Sequence, residues 1–458
     1  MADQTSAYHP AKADNPHILC INPWIHDFAA YDFWAKPYGL LTLAAICRMH
    51  GCRVSYLDCL DRFHPRAPKT DPFRIHGRGP YLKTPIPKPP GLSDVQRRYC
   101  RYGIRPEWML ADLQALPRPD VILVTSLMTY WYPGLQETVA MVRKVFPRTP
   151  VVVGGVYATL CNRHCRMHID ADEVVSGSGE TALLDLIGKT TGHFPARQFD
   201  PQQIDSYPFP ALDLQHCINY VPLLTSRGCP LSCAYCASHK LNPNRLTRDP
   251  AAVVEEIGYW HAAHGVKDFV FYDDALLMDV ETHAGPIFES VARRGLKVRF
   301  HTPNALHIRW IDTRTARLMK RAGFETIRLG LETAGFGDHR RLDEKVTVAE
   351  FQNAVACLKK AGFTASQIGA YLLVGLPGQR AEAIASSIRI VLEGQITPIL
   401  ASYSPIPHTA LWPEAVAASR YDLEADPVFS NNSVQPCQKE VFSWKQLSHL
   451  KQLIAATA

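Results

Sequence analysis

No apolar run in this 458-residue chain approaches the roughly 20 residues that a membrane-spanning helix needs. The N-terminus has no basic stretch followed by an apolar one, so no signal peptide is expected. The 13 cysteines show no regular pairing, which excludes a secreted disulfide framework. No repeat of solenoid type is present. The formal charge of +6 is modest for this length and does not by itself indicate nucleic acid. What remains is ordinary globular composition, 47% hydrophobic and 20% charged, with room for two or three domains. Unpaired thiols suit a reducing interior, so a cytoplasmic location is expected.

The first third alternates short apolar runs with helix-like stretches. His17–Asn22 (HILCIN), 53–57, 121–126, 151–153 and 173–176 read as buried strands, with helices at 40–50 and near 135–145. Strands separated by helices predict an open, Rossmann-like parallel sheet, with ligands at the carboxyl ends of its strands. Residues 65–106 interrupt the series. They are rich in Pro, Arg and Lys without a period, and read as a long surface insertion, either a lid or a solvated loop.

After a polar linker at 195–210 a second series begins. Strands are expected at 220–224, 268–273, 297–301, 325–331, 367–374 and 399–403, with helices between them. Six βα units predict a partial (β/α)6 barrel with its site at the C-terminal ends of the strands. The overall expectation is an α/β chain: 1–195 an open-sheet domain carrying the 65–106 insertion, 196–410 a barrel core, and 411–458 a short, mainly helical tail.

The first barrel strand runs into Thr225-Ser226-Arg227-Gly228-Cys229-Pro230-Leu231-Ser232-Cys233-Ala234-Tyr235-Cys236. Three thiolates in C-x3-C-x2-C spacing can bind three irons of one cubane and leave the fourth open to a small molecule. Ferredoxin clusters use four cysteines, so three suggest chemistry rather than electron storage. A zinc knuckle is the competing reading, with His239 as its fourth ligand.

This loop, with Tyr235 before the last cysteine, resembles the cluster motif of the radical SAM superfamily. The resemblance implies a [4Fe–4S] cluster on Cys229, Cys233 and Cys236. S-adenosylmethionine would chelate the open iron, and an electron from the cluster would break a C–S bond to give a 5′-deoxyadenosyl radical. It also implies cofactor-binding positions at the strand ends. Asp274 in Tyr272-Asp273-Asp274 replaces the family's Gly-Gly-Glu segment and faces the methionyl ammonium, unless it caps the next helix. Asn304 reaches ribose or substrate. Glu332 holds the ribose hydroxyls, unless it pairs with Arg328 or Arg340. Gly375 and Gly378, in GLPGQ, allow close backbone approach to adenine or the cofactor carboxylate, as would a plain turn.

The order of these pieces resembles the cobalamin-type lineage of that superfamily. So do Lys36-Pro37-Tyr38-Gly39-Leu40, Pro150-Val151-Val152-Val153-Gly154-Gly155 and the turn Gly177-Ser178-Gly179-Glu180. Gly154 and Gly155 would lie against the nucleotide tail of cobalamin, with Thr125 and Ser126 hydrogen-bonding it. The Asp-x-His-x-x-Gly motif of base-off cobalamin proteins is absent; the corresponding loop reads Asn22-Pro23-Trp24-Ile25-His26-Asp27, where His26 is the sole imidazole. Cys161, His164, Cys165 and His168 form a further C-x2-H-C-x2-H cluster, either a zinc site or a helix with scattered thiols and imidazoles.

The function expected is an enzyme that cleaves S-adenosylmethionine reductively and completes a cobalamin-assisted methyl transfer. Its partners would be a small-molecule or peptide substrate and an electron donor such as flavodoxin or ferredoxin; nucleic acid is not expected. Three alternatives stand beside it. One is cobalamin-free rearrangement or cyclisation. A second is tRNA methylthiolation, with another cluster on Cys20, Cys52 and Cys59. The third is a zinc protein binding nucleic acid through the cations of 66–105, with Tyr81, Tyr99 and Tyr102 stacking on bases.

Overall fold

The structure is a computed structural model that describes residues 15–68, 75–344, 346–437 and 444–455. Its first sheet contains β1 (His17–Asn22), β2 (Arg53–Asp58), β3 (Val121–Val124), β4 (Val151–Val153) and β5 (Glu173–Val174), all parallel, in the order β2-β1-β3-β4-β5. Every residue of β1 is buried because helices cover both faces. Period-2 alternation divides the strand residues between them. Leu19, Ile21, Ile122 and Val124 pack on Leu135, Val139 and Val142 of the helix Tyr132–Val145. Ile18, Cys20, Val121 and Leu123 pack on Leu40 and Ala44 of the helix Tyr38–Met49 and on Leu183 and Ile187 of the helix Gly179–Thr191. This last helix was not anticipated, because Gly177-Ser178-Gly179 reads as a turn when it is in fact the helix entry.

The second sheet contains β6 (Val221–Leu223), β7 (Asp268–Phe271), β8 (Arg299–His301), β9 (Phe324–Glu332), β10 (Ile368–Val374) and β11 (Thr397–Ser402). All are parallel and lie in chain order, with β6 and β11 at the edges, as expected of a partial barrel. Its outer face is aromatic: Phe269, Phe271, Phe300 and Phe324 pack with Phe288 of the helix Gly285–Arg294. Helix boundaries follow their sequence signals. Asp249 and Asp312 accept backbone hydrogen bonds at two N-termini, and Thr347 and Glu350 form a capping box at a third. The helix Trp444–Ala455 completes this core with Leu447 and Leu450.

The 65–106 segment departs from expectation. Residues 69–74 lie outside the described residues. Among the others, Lys83–Pro85 and Cys100–Tyr102 pair antiparallel, and the latter also pairs with Ile25–Asp27, giving a three-stranded sheet. Leu92, Val95 and Tyr99 are buried with Phe28 and with Val428 and Val434 of the tail. The segment is therefore packed structure rather than a solvated loop. Its Pro, Arg and Lys content masked a few apolar anchors that no period links. Tyr81, Tyr99 and Tyr102 are all buried, so none is presented for stacking on bases.

Candidate active site

The three cysteines occupy one loop held shut at its base. After β6, Ser226–Arg227 pairs antiparallel with Leu246–Thr247, so residues 228–245 form a closed excursion at the C-terminal ends of the barrel strands. Gly228 starts it at φ +82°, and a Cβ there would lie 2.7 Å from the carbonyl oxygen of Asn244. Cys233 is buried, while Cys229 and Cys236 are half-buried. The Cys236 N–H donates to the Cys233 carbonyl at 3.0 Å, and Ser238 N donates to Cys236 Sγ at 3.4 Å. Barrel and tail brace the turn, through Ala234 N to Leu342 O (2.7 Å) and Leu411 N to Ala234 O (2.8 Å).

Asp273, passed over in the sequence in favour of Asp274, anchors this loop. It is buried, and its Oδ1 accepts from Thr225 Oγ1 (2.6 Å), Ser226 N (2.5 Å) and Ser226 Oγ (2.7 Å), while Oδ2 accepts from Thr225 N (3.2 Å). His283 Nε2 lies 3.0 Å from the same Thr225 hydroxyl. Burial raises the Asp273 carboxyl above its ordinary range, against the pull of these donors.

The other strand-end residues differ in what they offer. Asp274 accepts from Ser238 Oγ at 2.6 Å, which ties it to the residue two beyond Cys236. Glu332 is buried in a left-handed conformation (φ +62°) at an irregularity between β9 and β10. Its charge acts on half-buried Tyr235, whose hydroxyl pKa is raised first by desolvation and then by Glu332. A non-glycine residue held at positive φ is a feature of constrained sites. Exposed Asn304 spends its amide N–H groups on the Tyr272 and Asp273 carbonyls (2.9 and 3.4 Å), leaving its oxygen as the outward group. Gly375 donates its N–H to Gln379 Oε1 (2.8 Å) and lies beneath Gln435 of the tail: a Cβ on it would sit 2.4 Å from Gln435 Oε1. Gly378 is open.

Between the first sheet and the cysteine loop lies a cavity of about 300 Å³. Thr125, Gly154 and Gly155 line it on one side, Arg227, Tyr272 and Asp274 on the other, and Leu40, Leu43, Leu183 and Leu186 make its wall apolar. Gly155 is obligatory: at φ +97° a Cβ would lie 2.3 Å from the Ser126 carbonyl oxygen. Ser126 does not line the cavity. Its hydroxyl donates to Gly154 O (2.6 Å) and accepts from Ala158 N (3.2 Å), and so fixes the glycine turn from behind. Glu180 of the Gly-x-Gly-Glu turn pairs with Arg227 of the cysteine loop at 2.8 Å, joining the two sheets across the cavity. Burial would raise Glu180, but Arg227 holds it below the ordinary carboxylate range.

Two further sequence expectations change. His26 is buried in the strand Ile25–Asp27 with Nε2 2.8 Å from Glu137, so the loop expected there is a strand and its imidazole is engaged. Cys161, His164, Cys165 and His168 do not converge. His164 stacks on His168 and its Nδ1 lies 2.7 Å from Tyr157 OH, which favours the helix with scattered thiols and imidazoles. Cys20 and Cys52 pack on one face of the first sheet and Cys59 on the other, so they do not form a second three-cysteine cluster site.

Comparison with known proteins agrees with this geometry. The family model for the radical SAM superfamily matches residues 223–391, and the one for the B12 binding domain matches residues 94–187. An uncharacterized methyltransferase of Pyrococcus horikoshii is 26% identical over 334 residues, 65% of this chain and 70% of the relative. The anaerobic magnesium-protoporphyrin IX monomethyl ester cyclase of Cereibacter sphaeroides is 26% identical over 362 residues, 70% of this chain but only 56% of the cyclase. The solved structure of the methyltransferase TsrM from Kitasatospora setae, with cobalamin and a [4Fe–4S] cluster bound, superposes with a TM-score of 0.64 at 17% identity, covering 88% of this chain and 78% of TsrM. Residues 223–391 are thus a domain of the radical SAM superfamily, and residues 94–187 ahead of it a B12 binding domain. The chain is an enzyme of the B12-dependent radical SAM class, with a [4Fe–4S] cluster, S-adenosylmethionine and cobalamin as its cofactors. Such enzymes use a small-molecule substrate and a reductant. Among the described residues no helix is long and apolar enough to cross a membrane.

Proposed function

We propose that this chain performs cobalamin-assisted radical methyl transfer, with Cys229, Cys233 and Cys236 holding the cluster and the cavity of Thr125, Gly154 and Gly155 holding the nucleotide tail of cobalamin. The observation that supports this best is that one apolar cavity has the glycine turn of the first sheet on one wall and Arg227 and Asp274 of the cysteine loop's surroundings on the other. A tail bound there would be held by Thr125, Gly154 and Gly155, with Arg227 and Asp274 on the facing wall. When bound, these groups supply reductive cleavage of S-adenosylmethionine and delivery of a methyl group.

The chain's own residues position and shield. Asp273 and His283 fix the base of the cysteine loop. Asp274 would offer the methionyl ammonium a charged acceptor beside its bond from Ser238. Glu332 takes the ribose hydroxyls from its strained position, and Asn304 and Gly378 flank the open mouth. Gly375 supports the mouth through the tail residue Gln435 rather than by direct approach. Ser126 acts on the tail site through the glycine turn. The working units are 1–195, 196–410 and 411–458. The electron donor is a flavodoxin or ferredoxin, the location is cytoplasmic, and the substrate is a small molecule.

The test is single turnover with a reduced flavodoxin and S-adenosylmethionine carrying a deuterated methyl group. The proposal expects 5′-deoxyadenosine from the reconstituted chain and label on protein-bound cobalamin. Cys229→Ala, Cys233→Ala and Cys236→Ala should each abolish 5′-deoxyadenosine; normal cleavage in any one of them removes the cluster assignment. Release of 5′-deoxyadenosine with no label ever reaching cobalamin would favour cyclisation, the reaction named for the Cereibacter relative.

A further inference from the structure

A second constellation of ligating side chains lies apart from the cysteine loop, where the first residue of β7 meets the last residue of β8. Asp268 opens β7 and His301 closes β8, while His76 comes from the 65–106 insertion. One ligating atom from each, all within 4.8 Å of one another, meet beside the start of β7. Asp268 Oδ1 is 2.9 Å from His301 Nε2 and 3.5 Å from His76 Nδ1. Two bonds of about 2.1 Å at a tetrahedral angle span ~3.4 Å between donors. Asp273 and Asp274, at the radical end, lie five and six residues further along the chain, up to ~20 Å of extended backbone.

We propose that His76, Asp268 and His301 bind one divalent transition-metal ion of the zinc class, which staples the insertion to β7 and β8 of the barrel. Two imidazoles and a carboxylate are a donor set such ions take, with water completing the tetrahedron. The supporting contacts of a metal site are also in place. His301 Nδ1 is 3.0 Å from Thr326 Oγ1, and Arg299 donates to both Asp268 oxygens (2.7 and 2.6 Å), which orients the carboxylate from outside. Trp34 stacks on His301 at 4.7 Å and carries Arg78 on its ring, so the indole stands between that guanidinium and the triad.

The presentation of His76 points the same way. It sits at φ +59°, a costly conformation for a non-glycine residue. Its turn is clamped by Trp34 Nε1 on the His76 carbonyl (2.9 Å) and by Asn219 Nδ2 on the Gly77 carbonyl (2.6 Å), with Arg62 on that same carbonyl.

The test is a zinc chloride titration of the full chain, reconstituted with iron and sulfide but without cobalamin. Bound zinc and iron are counted by mass spectrometry. The wild-type chain should bind one more zinc than His76→Ala or His301→Gln, with affinity at that site falling on the order of 100-fold in each variant. Iron content and S-adenosylmethionine cleavage should be unchanged. X-ray absorption at the zinc edge should show nitrogen and oxygen neighbours for the extra ion. Because His301 is fully buried, a failure of His301→Gln to fold leaves the half-buried His76 variants, His76→Ala and His76→Asn, to decide. Equal zinc counts in wild type and both His76 variants, with iron retained, would overturn the proposal and leave a hydrogen-bonded plug.

Discussion

Asp273 offers the sharpest perturbation of the cluster loop. Its carboxylate accepts four hydrogen bonds from two consecutive residues, three of them on Oδ1. Removing it in Asp273→Ala leaves two buried backbone N–H groups and two buried hydroxyls without that acceptor. At about 1–3 kcal/mol for each buried donor left unsatisfied, and with the hydroxyls free to rotate elsewhere, the loss should be roughly 3–6 kcal/mol, concentrated at the base of the cysteine loop. Asp273→Asn keeps an oxygen at Oδ1 and forfeits only the bond from Thr225 N, replaced by an N–H facing an N–H, for about 1–3 kcal/mol. The assay is iron content after anaerobic reconstitution, followed by a thermal melt of the same sample. Asp273→Ala should lose most of its iron and melt lower, whereas Asp273→Asn should keep most of both. Full iron retention with an unchanged melting temperature in Asp273→Ala would refute the anchoring argument.

Gly155→Ala should lose retained hydroxocobalamin at least tenfold on desalting while keeping its iron, because the new methyl meets the Ser126 carbonyl at 2.3 Å; equal retention would show the turn to be adaptable. Arg227→Gln leaves the buried Glu180 carboxylate unpaired and should lower the melting temperature, with partial recovery in the double variant Arg227→Gln/Glu180→Gln; identical melts in single and double variants would mean that the pair is not coupled. Glu137 gives a pH dependence. Burial alone would raise its carboxyl, but His26 and Arg101 bring it from 4.5 to about 2. A depressed folded pKa contributes stability that is complete above pH 4.5 and lost as pH falls towards 2. The drop in melting temperature between pH 6 and pH 3 should therefore shrink in Glu137→Gln, and an undiminished drop would place the acid sensitivity elsewhere.

The elements legible in the sequence were those whose cause is local. Strands such as HILCIN and DFVF announce themselves as short apolar runs, and helices fall in the stretches between the barrel strands. The cysteine loop was legible for the same reason, since its three thiols lie within eight residues. What escaped was set by distant partners. The resemblance singled out Asp274, and the role of Asp273 appears only when the fold gives it to Thr225 and Ser226, while Asp274 goes to Ser238. Ser126 reads as a free hydroxyl until Gly154 and Ala158 claim it. The insertion hid its structure because Leu92, Val95 and Tyr99 meet partners from both chain ends, at Phe28 and Val434. His76 and His301 are 225 residues apart, and no spacing rule could have joined them.

The most direct test of the central claim is the metal and cofactor content of protein reconstituted without oxygen in iron, sulfide and hydroxocobalamin, together with its absorption spectrum. The account predicts about four irons and one cobalt per chain, with iron lost in Cys233→Ala and cobalt lost in Gly155→Ala. Zinc in place of iron on the cysteine loop, with no cobalt retained, would contradict it.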